Sequence, residues 1–278
     1  LFGAISCWRR DTEEFEMKKL VLALTAVAAF TGSALAADLP ARTYTKAPVV
    51  VPPPPSWTGF YIFGGGGGGL WNADNGTVAT ATGVALGTGQ RNGGSGWLGT
   101  VGAGYDWQVN TNWVIGILGD GQFGNIRGNV SDTFFDLAGQ ETLRTSYAGG
   151  VRVGYLVAPN VLSYVNGGYS GSQWSGSSLS SVSFGGPALT TTGSFTRNGF
   201  FVGGGVENNL DIFGISFPGL FMKTEYRAAY YGNINLPETV IATGLPAVTT
   251  PTFKAWDETV TTSLVYRFNW TGPVVAKY

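Results

Sequence analysis

Three acidic residues, Asp120, Glu207 and Glu225, fall on the polar parity of alternating segments. Carboxylates so placed can act as general acids and bases. The usual helper is missing: the 278 residues include no histidine, the side chain that titrates nearest neutrality. The only cysteine, Cys7, lies in a segment expected to be discarded, so neither a disulfide nor a soft-ligand metal site is expected. Five cations, Arg144, Arg152, Lys223, Arg227 and Arg267, share the acids' parity. Charges of both signs in a narrow interior neutralise one another, because an unpaired one is costly there. The expectation is therefore a lumen charge ladder of Asp120, Arg144, Arg152, Glu207, Lys223, Glu225, Arg227 and Arg267. No catalytic residue, no metal and no cofactor is expected.

A second chemical candidate is the stretch GFYIFGGGGGGLW, Gly59 to Trp71. Six glycines satisfy a G-x-G-x-x-G pattern trivially. A phosphate loop would also need a βαβ unit with an acidic residue, or a following GK[ST], and neither is present. A flexible linker is disfavoured by Tyr61, Ile62 and Phe63 before the run and Leu70 and Trp71 after it, which read as strand. The run is expected to be a strand interior, where inward positions must be small opposite bulky neighbours.

The elements that position these residues follow from period-two alternation. In Leu143 to Val157, residues Leu143, Tyr147, Val151, Val153, Tyr155 and Val157 share one parity; Arg144, Ser146, Gly150, Arg152 and Gly154 share the other. That is a strand between two environments. Leu220 to Tyr230 repeats it, with Leu220, Met222, Tyr226 and Tyr230 against Lys223, Glu225 and Arg227. Eight such segments are predicted, at about 57–71, 95–109, 113–126, 143–157, 161–174, 197–209, 218–233 and 255–270. Connections alternate between long ones (near 73–94, 127–142, 175–196 and 234–254) and short ones. An even strand number with turns at one end and loops at the other predicts an all-β fold: an eight-stranded antiparallel transmembrane β-barrel with short periplasmic turns and long extracellular loops. Trp57, Tyr61, Trp97, Tyr105, Trp107, Trp113, Tyr230, Phe268 and Trp270 lie near strand ends and are expected to form aromatic girdles.

Composition agrees. Charged residues make up 12% of the chain, against about 25% in typical soluble domains. A net charge of −1 gives no global attraction for nucleic acid. Residues 17–36 read MKKLVLALTAVAAFTGSALA: a basic start, an apolar stretch and an A-x-A site at Ala34–Ala36. These are the parts of a signal peptide, with the mature chain expected to start at Ala37. Residues 1–16 are expected to be a gene-model extension before Met17. Residues 37–56 include Pro52 to Pro55 and read as a stiff periplasmic spacer, and 271–278 as a C-terminal tail after a 57–270 barrel.

The order of MKKL…ALA-ADLP, the proline-rich spacer, W-T-G-F-Y (Trp57 to Tyr61), V-G-A-G-Y-D-W (Val101 to Trp107) and V-Y-R-F (Val265 to Phe268) resembles the alphaproteobacterial outer-membrane immunogenic protein family, small porin-like barrels of OmpA-like architecture. The resemblance covers the chain from about Ala37 onwards. It implies an eight-stranded barrel, outer-membrane residence and surface antigenicity. It departs from the family's pattern after Phe268, where further residues follow. The partners so implied are outer-membrane lipid, lipopolysaccharide and the barrel-assembly machinery, without nucleic acid. The expected role is structural and antigenic. The alternatives are a narrow porin or a barrel that binds ligands or surfaces through its loops.

Overall fold

The computed structural model describes residues 56–87, 89–215 and 217–268. The expected cleavage site at Ala34, Ala36 and Ala37, the spacer up to Pro55, Trp270 and the tail 271–278 lie outside the described residues.

Eight long strands form the main wall: β1 (Gly59–Ala79), β2 (Gln90–Gln108), β3 (Trp113–Asp132), β4 (Leu137–Ala158), β5 (Val161–Trp174), β8 (Phe195–Asn209), β9 (Leu220–Tyr231) and β12 (Thr249–Arg267). Short strands β6 (Ser178–Ser181), β7 (Gly185–Thr192), β10 (Ile234–Asn235) and β11 (Glu238–Val240) lie in the connections. Each long strand pairs antiparallel with its neighbours, and β12 returns to β1, from Tyr61↔Arg267 to Ala79↔Thr249. The result is a closed eight-stranded antiparallel barrel. Closure leaves no unpaired edge in the main wall.

The strands run further than the sequence pattern indicates. The Ser-, Thr-, Gly- and Asn-rich stretches near 73–94, 127–142, 175–196 and 234–254, expected to be loops, contain much strand. Where β5 and β8 end at the Trp174↔Phe195 pair, the β6–β7 hairpin takes over, β6 pairing with β4 and β7 with β11. Residues 234–240 then bridge to β12 through Ile234↔Phe253. The wall thus continues beyond the main barrel. Polar strands without a strong intrinsic preference hold here because partner strands satisfy their backbone groups.

The glycine run lies wholly within β1. A Cβ at Gly65 or Gly67 would fall onto the backbone oxygens of Thr262 or Val260 in β12, whereas one at Gly64 or Gly68 would make only ordinary contact. Alternate glycines are therefore required by the β1–β12 seam. Elsewhere inward glycines clear space for lumen side chains: Gly104 faces the Tyr61 ring and Gly116 the Asp106 carboxylate.

Candidate functional site: a filled lumen

Inward-facing side chains stack in layers along the axis. At the short-turn end, Trp57 packs on Phe221 with ring centroids 5.1 Å apart, among buried Val114, Leu156, Leu162 and Val265. The Trp57 indole N–H donates to the Pro159 carbonyl at 3.2 Å, tying the plug to the β4–β5 turn.

The next layer is ionic. Arg152 donates from Nε to Asp106 Oδ1 (2.8 Å), from Nη1 to Glu207 Oε2 (3.1 Å), and from Nη2 to Asp106 Oδ2. Arg267 donates to Glu207 Oε1 (2.7 Å) and Asp106 Oδ2 (2.8 Å). Two guanidiniums and two carboxylates thus form a neutral, fully buried ring. Tyr61 lies beneath both cations, 4.4 Å from the Arg152 guanidinium carbon and 5.0 Å from that of Arg267. Such stacking adds to the ion pairing when the cation is desolvated.

A second neutral cluster follows. Arg227 clasps Asp120 through two bonds of 2.8 and 2.7 Å and also reaches Glu225 at 2.7 Å. This bidentate geometry suits the planar guanidinium. Glu225 also accepts from Tyr164 (2.7 Å) and Asn166 (3.0 Å) and lies 3.5 Å from the Lys223 ammonium. Above these, Trp71, Trp174 and Phe253 meet edge to face at 5.1–5.6 Å, and Phe195 stacks on Trp174 at 5.9 Å. This aromatic plug closes the far side of the ionic layers.

The outer wall is the reverse. Ile62, Val101, Ile117, Val151, Val165, Val202, Val260 and Leu264 are all more than a third exposed. They lie between two belts of paired aromatics. One belt contains Phe60–Phe268 (5.5 Å), Tyr105–Trp107 (4.7 Å) and Trp113–Tyr155 (5.3 Å). The other contains Tyr147–Tyr169 (6.3 Å), Phe200–Tyr230 (5.5 Å) and Tyr230–Trp256 (6.2 Å).

Of the expected ladder, Asp120, Arg152, Glu207, Lys223, Glu225, Arg227 and Arg267 lie in these clusters. Arg144 does not: it is exposed on the outer face. The register shifts between Leu143 and Thr145, so Leu143 and Ser146 are both buried and simple alternation fails there. A bulge of this kind moves a side chain to the other face. Of the expected girdle, Trp97, Tyr105, Trp107, Trp113, Tyr230 and Phe268 face outward. Trp57 and Tyr61 are each 1% exposed and lie in the lumen. Closeness to a strand end placed them in the girdle, but the parity of β1 turns Phe60 outward and Tyr61 inward. Sequence reasoning missed Asp106, which shares parity with Gly102 and Gly104, and the glutamate partners Tyr164 and Asn166.

Beyond the second belt the polar groups have different surroundings. Burial pushes the Glu141 carboxyl up to about 7, against the Thr142 amide, the Ser175 hydroxyl and the charge of Arg144. Burial likewise pushes Glu238 up to about 7, opposed by the Thr190 hydroxyl and reinforced by the charge of Asp132.

No protein-family model matches the chain, and no curated protein matches it. Among solved structures it is similar to the outer membrane protein OprG from Pseudomonas aeruginosa (9% identity, 76% of this chain and 97% of that one, TM-score 0.47). It is also similar to the outer membrane protease OmpT from Escherichia coli (10% identity, 77% and 98%, TM-score 0.41). A third likeness is to Ail, the attachment invasion locus protein of Yersinia pestis (11% identity, 75% and 99%, TM-score 0.32). The barrel assignment rests on the strand pairings described above.

Proposed function

We propose that this chain is an integral outer-membrane barrel, exported through a cleaved signal peptide, with a structural and surface-antigen role and a lumen closed to solutes. The observation that carries this reading is the filled interior: two neutral ion clusters between two aromatic plugs, inside a wall whose outer face is apolar. In water that outer face would be an extensive exposed apolar surface, whereas in a bilayer it meets lipid between interfacial aromatics. On this reading the short turns are periplasmic, the extended end is extracellular, and the outer wall contacts lipid and, in the outer leaflet, lipopolysaccharide. The barrel-assembly machinery inserts it. The resemblance to outer-membrane immunogenic proteins points the same way.

We propose further that the barrel is not an enzyme. Its lumen carboxylates Asp106, Glu207, Asp120 and Glu225 are all held by cations, and Asp257, which forms no ion pair with a described residue, is 4% exposed, so no lumen carboxylate stands open to a substrate. Planar-bilayer recording of refolded protein tests closure. The expected result is no stepwise conductance, and regular single-channel steps would establish a narrow porin instead.

A second reading, contact through the extended end, is favoured by one observation. Phe134, Phe135 and Phe184 are 50%, 48% and 94% exposed at hairpin tips far from the belts. Ser183 joins these tips, donating from its backbone amide to Asp136 at 3.1 Å. Cells displaying Phe134→Ser/Phe184→Ser protein should adhere to host surfaces less than wild type if these tips mediate contact. Equal adhesion would remove this reading.

A further inference from the structure

The outer face changes character just beyond the second aromatic belt. Among the described residues, Arg152, Lys223, Arg227 and Arg267 lie in the lumen. Arg197, on the inward parity of β8, donates to the Gly232 and Asn233 carbonyls at 2.8 and 3.0 Å. Every other described cation, Arg91, Arg127, Arg144 and Lys254, is exposed on the outer wall. Each lies toward the extended end from the last outward aromatic of its own strand: Arg91 from Trp97 on β2, Arg127 from Phe123 on β3, Arg144 from Tyr147 on β4 and Lys254 from Trp256 on β12. With β1 these strands are contiguous in the sheet, in the order β4-β3-β2-β1-β12. The opposite wall instead presents neutral Gln173, Thr196 and Asn198 beyond Tyr169 and Phe200.

Two of these cations border one groove. Asp74 on β1 is paired in register with Lys254 of β12 on one side and with Arg91 of β2 on the other. The two cations are therefore two strand spacings apart, roughly 10 Å. The groove has a volume of about 370 Å³, and Tyr230, Trp256 and Glu258 also line it. The Trp256 indole N–H donates to Glu258 Oε1 at 2.9 Å, which fixes that ring against the groove. The Lys254 ammonium lies 5.5 Å from the Tyr230 ring centre and forms no ion pair with a described residue. Arg91 Nε donates to Asp74 Oδ1 at 2.9 Å, but their side chains are 74% and 57% exposed. An exposed pair of this kind is weak and leaves the guanidinium edge open to a further anion. Asp74 and Glu258 are the acids on the outer face of these five strands, against four cations, so this side of the barrel carries net positive charge.

We propose that this groove binds a phosphate of the lipopolysaccharide glucosamine headgroup, and that the wall from β12 to β4 is the side of the barrel that packs against lipopolysaccharide. Arg91 and Lys254 hold the phosphate from two sides, the guanidinium through paired donors and the ammonium as a point charge. The Tyr230 and Trp256 rings lie under the sugar and the start of its acyl chains. Depth supports this occupant. Headgroups begin where interfacial aromatics end, and long basic side chains reach up to them. The confinement of the cations to contiguous strands supports a seat on one side rather than an even basic collar. The inference rests on the outer-membrane reading proposed above, with the extended end facing outward.

The test uses full-length protein refolded in detergent free of lipopolysaccharide. Purified bisphosphorylated lipid A is titrated in, and native mass spectrometry counts the lipid retained on each barrel. Wild type should retain lipid A saturably. Arg91→Ala/Lys254→Ala should weaken retention at least about tenfold, and the charge-keeping Arg91→Lys/Lys254→Arg should restore most of it. Lys254→Gln alone serves if the double variant fails to fold, and should weaken retention in the same direction. Dephosphorylated lipid A and phosphatidylglycerol should both be retained more weakly than the bisphosphorylated form. Retention unchanged in the folded variants, or equal retention of dephosphorylated lipid A, would overturn the proposal. Equal retention of phosphatidylglycerol would also overturn it, by showing a general attraction for anionic lipid. Insertion into phosphatidylcholine vesicles, followed by heat-modifiable migration, separates the two levels of inference. A barrel that inserts but retains no lipid A removes this site alone, whereas one that does not insert removes the outer-membrane reading as well.

Discussion

The lumen contains two regions of buried acid that are handled in opposite ways. Between the aromatic belts, Asp106, Glu207, Asp120 and Glu225 all contact cations, and the clusters sum to zero charge; the exception is Asp257, paired in register with Trp71 at the second belt and buried without an ion pair to a described residue. Beyond the second belt, Glu141 rests on an amide and a hydroxyl, and Glu238 has no hydrogen-bond partner. The difference follows the surroundings. At belt level the wall is apolar outside and the interior is plugged at both ends, so an uncompensated charge would have no access to water. The extended wall is not set in lipid on the proposed reading, so protons, ions and water can reach its acids.

The largest expected effect comes from breaking the compensated region. Arg152→Leu leaves Asp106 and Glu207 to share Arg267 alone, and should cost about 3–5 kcal/mol in urea unfolding of the refolded barrel. Arg227→Leu strands Asp120 and should lower the unfolding midpoint clearly more than Tyr226→Leu on the outer face. Equal small losses would mean that water fills these layers.

The extended region should differ in its pH response. The Glu141 pKa in the fold, about 7, lies above its unfolded value of about 4.5. Its neutral form is therefore favoured in the fold. The contribution is fully present below about pH 4.5 and is lost as pH rises to about 7. Heat-modification midpoints should fall across that window in wild type. Glu141→Gln should flatten the fall, whereas a fall unchanged in the variant would assign it to other groups.

A smaller effect sharpens the contrast between seam and surface. Gly67→Ala would push a methyl onto the Val260 carbonyl and should cost about 1–3 kcal/mol, whereas Gly68→Ala should be near neutral. The smallest effect is expected for Arg144→Leu, within about 0.5 kcal/mol, because this arginine is exposed beside the bulge. A loss as large as that of Arg152→Leu would place Arg144 back among the lumen charges.

Alternation alone determined much of this molecule. Period-two patterning gave the eight strands and the inward parity of Arg152, Glu207, Glu225, Arg227 and Arg267, because a pleated strand sends successive side chains to opposite faces. It also made the glycine run a strand rather than a linker. Tertiary structure decided the rest. A bulge, set by how β4 meets β5, turned Arg144 outward. The strand-end residues Trp57 and Tyr61 became lumen plug and cation platform because closure placed the guanidiniums of Arg267 and Arg152 against their rings. The polar stretches that read as loops became a second tier of wall because β6, β7, β10 and β11 found partners distant in sequence. Which acids meet a guanidinium and which remain without one depends on which strands closure brings together, and no local pattern encodes that.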